Sequence, residues 1–200
     1  MKRSLDFLLS ILGLLLLSPL FLVISVAIKC SDGGAIFFRQ ERLGYRRKVF
    51  RIWKFRTMTE QAQKLGSSLT VGDDPRVTRV GKWLRRLKLD ELPQLINVVR
   101  GEMSLVGPRP EVPAYLDLYQ GERGRIFEVR PGITDPASLF YRSESEILGN
   151  AADPEKSYRE KILPHKISLS LAYREKATLW SDIQVMVATL GTLFRRDHAG

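Results

Sequence analysis

The chain has 200 residues, with 32 Lys and Arg against 22 Asp and Glu, a formal net charge of +10 and an apolar fraction of 44%. That is the length of one ordinary domain with a strongly basic balance, and it excludes a disordered protein, a polytopic channel and a fully soluble enzyme once the charge distribution below is considered. One cysteine, Cys30, excludes a disulfide framework and a cysteine-rich zinc site, and two histidines argue against a histidine-based metal centre.

Polarity is unevenly spread along the chain. Residues 7–28 read FLLSILGLLLLSPLFLVISVAI without a charge. As one helix this run would be about 33 Å long, matching a bilayer core of about 30 Å. A cleaved signal peptide fits poorly, because the apolar region is too long and Ala27-Ile28-Lys29 is a poor cleavage site. Two features argue against a simple span. Lys2 and Arg3 precede the run, while Lys29, Arg39, Arg42, Arg46, Arg47 and Lys48 follow it, so both flanks carry cytoplasmic-side charge. Ser18-Pro19 sits in the middle. Pro19 cannot donate to the Leu15 carbonyl and breaks or kinks the helix, and the Ser18 hydroxyl can bond to freed carbonyls that hydrocarbon leaves unsatisfied. The pattern predicts a re-entrant helix-break-helix over residues 1–30. A kinked spanning anchor fits the same residues equally well.

Residues 35–38 and 49–56 are β-branched and aromatic with a period near two, and the polar connection 40–48 contains Gly44, which predicts a β-hairpin. Residues 39–56 hold eight Lys and Arg and one acid, Glu41. Beside a membrane segment they would attract anionic head groups by about 1 kcal/mol per charge, or hold an anionic substrate; a nucleic-acid face is the weakest reading. Residues 66–78 are turn-rich and predict a loop. A helix fits 79–92, with Val80, Trp83, Leu84, Leu87 and Leu92 in one stripe, followed by a short helix over 93–99 closed by Gly101. Ser104-Leu105-Val106 is strand-like and leads into Gly107-Pro108-Arg109-Pro110. Helices are expected at 111–122 and 155–175, the second broken or kinked at Pro164. A last helix over 177–195 contains Leu179, Trp180, Ile183, Met186, Val187, Leu190 and Phe194. Its polar residues Asp182 and Gln184 argue against spanning, so it should pack in the core or lie in the interface, where Trp180 and Arg195-Arg196 suit head groups. The class is α+β: a membrane helix-break-helix, a small hairpin and several helices, some interfacial and amphipathic.

No G-x-G-x-x-G, Walker, H-E-x-x-H or G-x-S-x-G pattern occurs. What stands out is LRRLKLDELPQL at 84–95. Asp90 and Glu91 are adjacent acids ahead of a helix start, whose positive end is expected to keep both ionised. An ionised Asp can attack phosphorus or bind Mg²⁺, and Arg85, Arg86 and Lys88 could neutralise phosphate oxygens. An ordinary N-terminal charge pair gives the same pattern. Arg109, fixed between two prolines, suits a preorganised oxyanion clamp. Arg130, beside Pro131-Gly132, repeats the device. Together they favour polyphosphate binding without naming a reaction.

These pieces, in this order, resemble the monotopic phosphoglycosyl transferases, the bacterial sugar transferase family. The matching segments are KRSLDF (2–7), the apolar run with Ser18-Pro19, KFRTM (54–58), LDELPQLINVVRGEMSLVGPRP (89–110) and RPGIT (130–134). They reach to about residue 134, with a looser helical match beyond, and the length resembles the small catalytic-core form without additional membrane helices. The resemblance implies transfer of a sugar 1-phosphate from a UDP-sugar to polyprenol (undecaprenyl) phosphate, with release of UMP, at the cytoplasmic face of the bacterial inner membrane. It implies a re-entrant membrane unit at 1–30 and a catalytic domain at 31–200, with no nucleic-acid partner. It makes Asp90 the nucleophile of a covalent aspartyl-phosphosugar intermediate and Glu91, with Asp90, the holder of Mg²⁺. Arg85 and Arg109 match phosphate contacts, and Lys54, Arg56 and Arg130 match contacts to the nucleotide or acceptor phosphate. One departure is clear: many members continue RPGIT with Gly-Trp-Ala, whereas Asp135-Pro136-Ala137-Ser138 follows here, and the stretch to Asn150 is also unlike that pattern. The sugar therefore stays open. The rival readings are a non-catalytic membrane-surface scaffold binding anionic lipid, and a phosphohydrolase with water as acceptor.

Overall fold

In the computed structural model, which describes residues 1–60, 62, 70–72 and 74–194, the chain opens with two helices, α1 (Lys2–Leu16) and α2 (Ser18–Asp32), bent by 60° at Leu17. The cause is local. Pro19 has no N–H for the Leu15 carbonyl, and the Ser18 hydroxyl donates to that oxygen instead, at 2.8 Å. The ladder resumes at Phe21, whose N–H donates to the Leu17 carbonyl. Neither helix is long and apolar enough to cross a membrane; the bent pair together has the length and composition. Leu8, Leu12, Leu15, Leu16, Leu22 and Val23 are exposed, while Asp6, Ser10, Ile24 and Ile28 face the protein.

The hairpin pairs β1 (Phe37–Leu43) with β2 (Val49–Phe55), antiparallel from Phe37↔Phe55 to Leu43↔Val49. The connection is thus 44–48, not 40–48. Residues 39–42 are polar yet extended because they find cross-strand partners: the Arg39 guanidinium lies 4.5 Å over the Trp53 ring, and Arg51 pairs with Glu41 at 3.5 Å. Phe37 and Phe21 pack on Phe55, fixing α2 against the hairpin.

Helix α3 (Arg79–Arg86) is capped by Thr78, whose hydroxyl accepts from the Gly81 N–H at 2.9 Å. A Cβ on Gly81 would lie 2.0 Å from the Thr57 carbonyl oxygen, so only glycine lets α3 press this closely on the strand end. The predicted helix over 79–92 stops early. Lys88 turns left-handed at φ 54°, Leu89–Glu91 form a 3-10 turn, and α4 (Gln94–Val99) follows. Of the predicted stripe, Val80, Leu84 and Leu92 pack into one core cluster across the corner, while Trp83 and Leu87 are exposed. Gly101, at φ 84°, closes α4 as expected.

Strand β3 (Ser104–Val106) pairs in parallel with β4 (Gly132–Thr134), so RPGIT ends in a strand rather than a turn alone. A Cβ on Gly132 would stand 2.1 Å from the Gly107 nitrogen, which makes this a backbone-on-backbone contact. The helix expected at 111–122 is replaced by 3-10 stretches Pro113–Leu118 and Gly121–Glu128, separated where Gly121 takes φ 56°. Then come α5 (Pro136–Phe140), α6 (Glu144–Gly149), α7 (Pro154–Ser157), a π turn (Tyr158–Ile162) and α8 (Leu163–Lys176). Pro164 falls in the first turn of α8, where its missing N–H is harmless, and the π turn absorbs the irregularity. Helix α9 (Leu179–Phe194) buries Asp182 and Val185 and exposes Trp180, Val187 and Leu190. Residues 66–69 and 73 of the predicted loop, and the Arg195-Arg196 pair, lie outside the described residues.

Helix α1 is stapled to the rest of the molecule through its first two turns. Lys2 donates to the Val106 carbonyl at 3.0 Å and pairs with Asp182 of α9. Arg3 donates to the Val98 and Met103 carbonyls at 2.5 and 3.2 Å, satisfying the open end of α4. Buried Asp6 accepts from the Ser104 hydroxyl at 2.7 Å.

Candidate active site

An open cleft of about 1410 Å³ is bordered by the hairpin, the α3–α4 corner, the turn after β3 and the α5–α6 segment. The corner formed by Lys88 and the 3-10 turn delivers Asp90 and Glu91 to it side by side. Glu91 is clamped from two directions. Lys54 of β2 donates to Oε1 at 2.8 Å, and Arg109 donates bidentately, Nη1 to Oε2 at 3.0 Å and Nη2 to Oε1. Burial alone would raise the Glu91 carboxyl, but Arg109 and Lys54 more than reverse this and hold it well below the ordinary range. The same pairing raises Arg109, while burial lowers Lys54 against the pull of Glu91.

Asp90 behaves in the opposite way. It is 7% exposed, and its Oδ1 is buried with no hydrogen-bond partner among the described residues. Burial first, and the adjacent Glu91 charge second, push its pKa up; Lys54, Arg85 and Lys88 pull it down without prevailing. The surroundings therefore favour the charged form at Glu91 and oppose it at Asp90, where the helix end was expected to favour it at both. Helix α4 is only six residues long, its dipole is correspondingly small, and desolvation decides the outcome for Asp90. The dyad is divided into one locked carboxylate and one under-solvated carboxyl.

Arg85 reaches the cleft from the last turn of α3. Thr57 Oγ1 accepts its Nε–H at 2.8 Å and Thr70 Oγ1 its Nη1 at 3.2 Å. Lys54 is placed indirectly by Asn97 of α4, which accepts from the Trp53 N–H and donates to the Arg51 carbonyl, both at 2.9 Å. Two other sequence candidates stand apart from the dyad. Arg56 borders the cleft, but its guanidinium is committed to Asp32, at the end of α2, and to the Ala35 carbonyl. Arg130 lies away from the cleft; it donates to the Gly101 carbonyl at 2.8 Å and lies over the Tyr45 ring. Ser18 and Pro19 shape the helix break and touch no part of the cleft.

The sequence matches the profile of the bacterial sugar transferase family over residues 1–196. The chain belongs to that family. It is 45% identical over 148 residues to the exopolysaccharide production protein ExoY of Sinorhizobium fredii, covering 66% of each chain. It is 37% identical over 195 residues to the UDP-N-acetylgalactosamine-undecaprenyl-phosphate N-acetylgalactosaminephosphotransferase of Aeromonas hydrophila, covering 96% of this chain and 43% of that one. The undecaprenyl-phosphate glucose phosphotransferase of Komagataeibacter xylinus is 38% identical over 196 residues, covering 94% and 35% respectively. The chain thus spans between about a third and two thirds of the length of these curated relatives.

For this family member, the fit to Mg²⁺ turns on the dyad. No group of three His, Cys, Asp or Glu side chains converges among the described residues. Mg²⁺ held by one or two carboxylates plus substrate phosphates needs no such group. Asp90 Oδ1 is unpartnered and Glu91 Oε2 receives one N–H, from Arg109, so each retains lone pairs and the pair fits the ion. Sequence reading missed the second polar array in the cleft. Arg42 donates to the Pro110 carbonyl at 3.3 Å and to Gln40 at 2.7 Å, and pairs with Glu111, which also accepts from the Tyr158 hydroxyl at 2.5 Å. Arg42 was visible only as part of a basic cluster; besides the neighbouring Gln40, its partners Pro110 and Glu111 lie far along the chain and leave no local signature.

Proposed function

We propose that the protein transfers a sugar 1-phosphate from a UDP-sugar to a polyprenol phosphate such as undecaprenyl phosphate, releasing UMP. Family membership and the printed names of two relatives support the general reaction. The observation that carries the residue roles is the divided dyad: Asp90 offers a buried, unpartnered oxygen, while Glu91 is locked by Lys54 and Arg109.

In this reading Arg109 and Arg85 orient the diphosphate so that Asp90 Oδ1 faces the β-phosphorus. The Asp90 oxygen forms a bond to that phosphorus as the bond to the bridging oxygen breaks, and the electron pair leaves with UMP. An oxygen of polyprenol phosphate then attacks the same phosphorus. The bond to Asp90 breaks, its carboxylate is restored, and a polyprenyl diphosphate sugar departs. Lys54, Arg85 and Lys88 favour the charged, nucleophilic form of Asp90. Bound Mg²⁺ would neutralise charge on the diphosphate and on departing UMP. The bent α1–α2 pair serves as a re-entrant anchor, since each helix of about 22 Å is shorter than the bilayer core of about 30 Å. The apolar residues exposed on α1, α2 and α9 meet lipid at the cytoplasmic face. That placement suits an acceptor whose phosphate lies in the head-group plane and a donor dissolved in water.

The test is UMP release from a panel of UDP-sugars with polyprenol phosphate and Mg²⁺. Asp90→Asn should abolish release and Glu91→Gln should reduce it severely; an active Asp90→Asn protein overturns the mechanism. Without acceptor, labelled UMP should exchange into the UDP-sugar through the aspartyl intermediate. Sustained UMP release without acceptor would instead establish a hydrolase.

A further inference from the structure

A second cluster lines the same cleft and takes no part in the steps above. Glu144 opens α6 and Lys166 lies on α8. Lys166 Nζ donates to Glu144 Oε2 at 2.7 Å and sits 5.4 Å from the centre of the Tyr158 ring. The lysine side chain is 10% exposed and the glutamate 27%, so the pair is sunk in the wall with its acid outermost. Glu144 Oε1 receives no hydrogen bond from the described residues. A buried Lys-Glu pair is weak support for a fold, because well-packed apolar side chains would serve as well or better. Its position at a cleft points to a ligand. Asp135, fully buried, makes that position firm: it caps α5 by accepting from the Ser138 N–H at 2.8 Å and accepts from the Ser170 hydroxyl of α8 at 2.6 Å. Helix α5, which leads into the helix carrying Glu144, is thereby tied to α8, which carries Lys166.

Glu144 is also close enough to Arg109 for its charge to act on that guanidinium. If Arg109 holds the diphosphate, the sugar esterified to the β-phosphate begins one bond further on, and the cleft wall beside Arg109 is where its ring falls. We infer that Glu144, held by Lys166 against Tyr158, accepts a hydrogen bond from a sugar hydroxyl of the UDP-sugar and so selects among donors. This rests on the transferase reading above and deepens it. A carboxylate oxygen with free lone pairs discriminates by hydroxyl position, because an epimer or deoxy sugar leaves it desolvated and unpaired.

The experiment uses the full chain, reconstituted with polyprenol phosphate and Mg²⁺, and measures kcat/KM for UDP-hexoses differing at single hydroxyls and for deoxy analogues of the best donor. Glu144→Gln should lower kcat/KM for the best donor by about 10- to 100-fold, the range of a hydrogen bond to a charged group. It should compress the ratio between best and second-best donors. The deoxy analogue that costs the wild type this factor should cost Glu144→Gln nothing further. Inhibition by UMP, which lacks the sugar, should change by less than about two-fold. If Glu144→Gln folds poorly, the Glu144→Leu/Lys166→Met double variant removes both charges together and reads the same ratio. Unchanged donor ratios, or a parallel loss of UMP inhibition, overturn the inference while leaving the transferase reading intact. A folded wild type that releases no UMP from any donor overturns the transferase reading and this inference with it.

Discussion

Asp90→Asn should make the protein more stable as it makes it inactive. The environment disfavours the charged form of Asp90: the side chain is 7% exposed, Oδ1 lacks a partner, and Glu91 is adjacent. An unsatisfied buried polar group costs about 1–3 kcal/mol, and more when charged. Asparagine has the same shape and removes the charge, so a gain of about 1–2 kcal/mol is expected. For a chain of this size that corresponds to about 2–8 °C in melting temperature. The pH dependence is specific. An acid whose folded pKa is raised binds its proton more tightly when folded, so wild-type stability falls relative to Asp90→Asn as pH rises from the unfolded value of about 3.9 to the folded pKa. The gap should be fully present above the folded pKa and should close toward pH 4. Melting both proteins in the same detergent from pH 7.5 downward, with tryptophan fluorescence as readout, measures it; the titration of groups distant from Asp90 cancels in the difference. An Asp90→Asn protein that melts below wild type at pH 7.5, or a gap that is constant down to pH 4, would refute the reasoning.

Other residues give equally specific outcomes. Pro19→Ala restores the donor for the Leu15 carbonyl, so α1 and α2 should join into one helix; an N-terminal cysteine protected from outside reagent in wild-type cells should become labelled. Thr57→Val removes the acceptor of the Arg85 Nε–H and should lower kcat/KM for UMP release about 10-fold, or about 1.4 kcal/mol, with Thr57→Ser near wild type. Gly132→Ala places a Cβ 2.1 Å from the Gly107 nitrogen and should cost more than about 4 kcal/mol, leaving little folded protein in expression trials. Gly191→Ala, with nothing within 4 Å of the new Cβ, should melt at or slightly above wild type.

What the sequence disclosed follows the range of each interaction. The break at Ser18-Pro19 was legible because proline acts on a carbonyl four residues away, and the Ser18 hydroxyl takes that very oxygen. Hairpin and dyad were legible for the same reason, as runs of adjacent residues. The end of α3 was not, because an apolar period cannot report that Lys88 adopts φ 54°. Lys2 and Arg3 show the limit more sharply. They were read as topogenic charge, yet each makes hydrogen bonds to residues roughly a hundred positions away. Arg56 was matched to a phosphate contact by its motif, and nothing in that motif disclosed its pairing with Asp32, at the end of α2. Asp90 and Glu91 are neighbours in sequence with opposite electrostatic fates, and only burial and the approach of Lys54 and Arg109 separate them.

The staple at the start of α1 gives those long-range contacts a purpose beyond stability. Lys2 holds the carbonyl of Val106, immediately before the turn that carries Arg109. Arg3 holds the far end of α4, whose near end follows Asp90 and Glu91, and Asp6 holds Ser104 of β3. The turn bearing Arg109 and the helix that follows the dyad are therefore both referenced to one helix. At the other end of the bent pair, Arg56 ties Asp32 to the strand bearing Lys54. Under the re-entrant reading, the depth at which the bent pair settles in the leaflet sets the height of Asp90 relative to the head groups. Loosening the staple should then separate two activities that share Asp90. Lys2→Met combined with Asp182→Asn removes the pair without leaving either charge unpaired. Labelled UMP exchange into the UDP-sugar, which needs only the soluble donor, should persist, while transfer to membrane-embedded polyprenol phosphate should fall about 10-fold. Equal losses in both assays would show that the staple supports the fold alone.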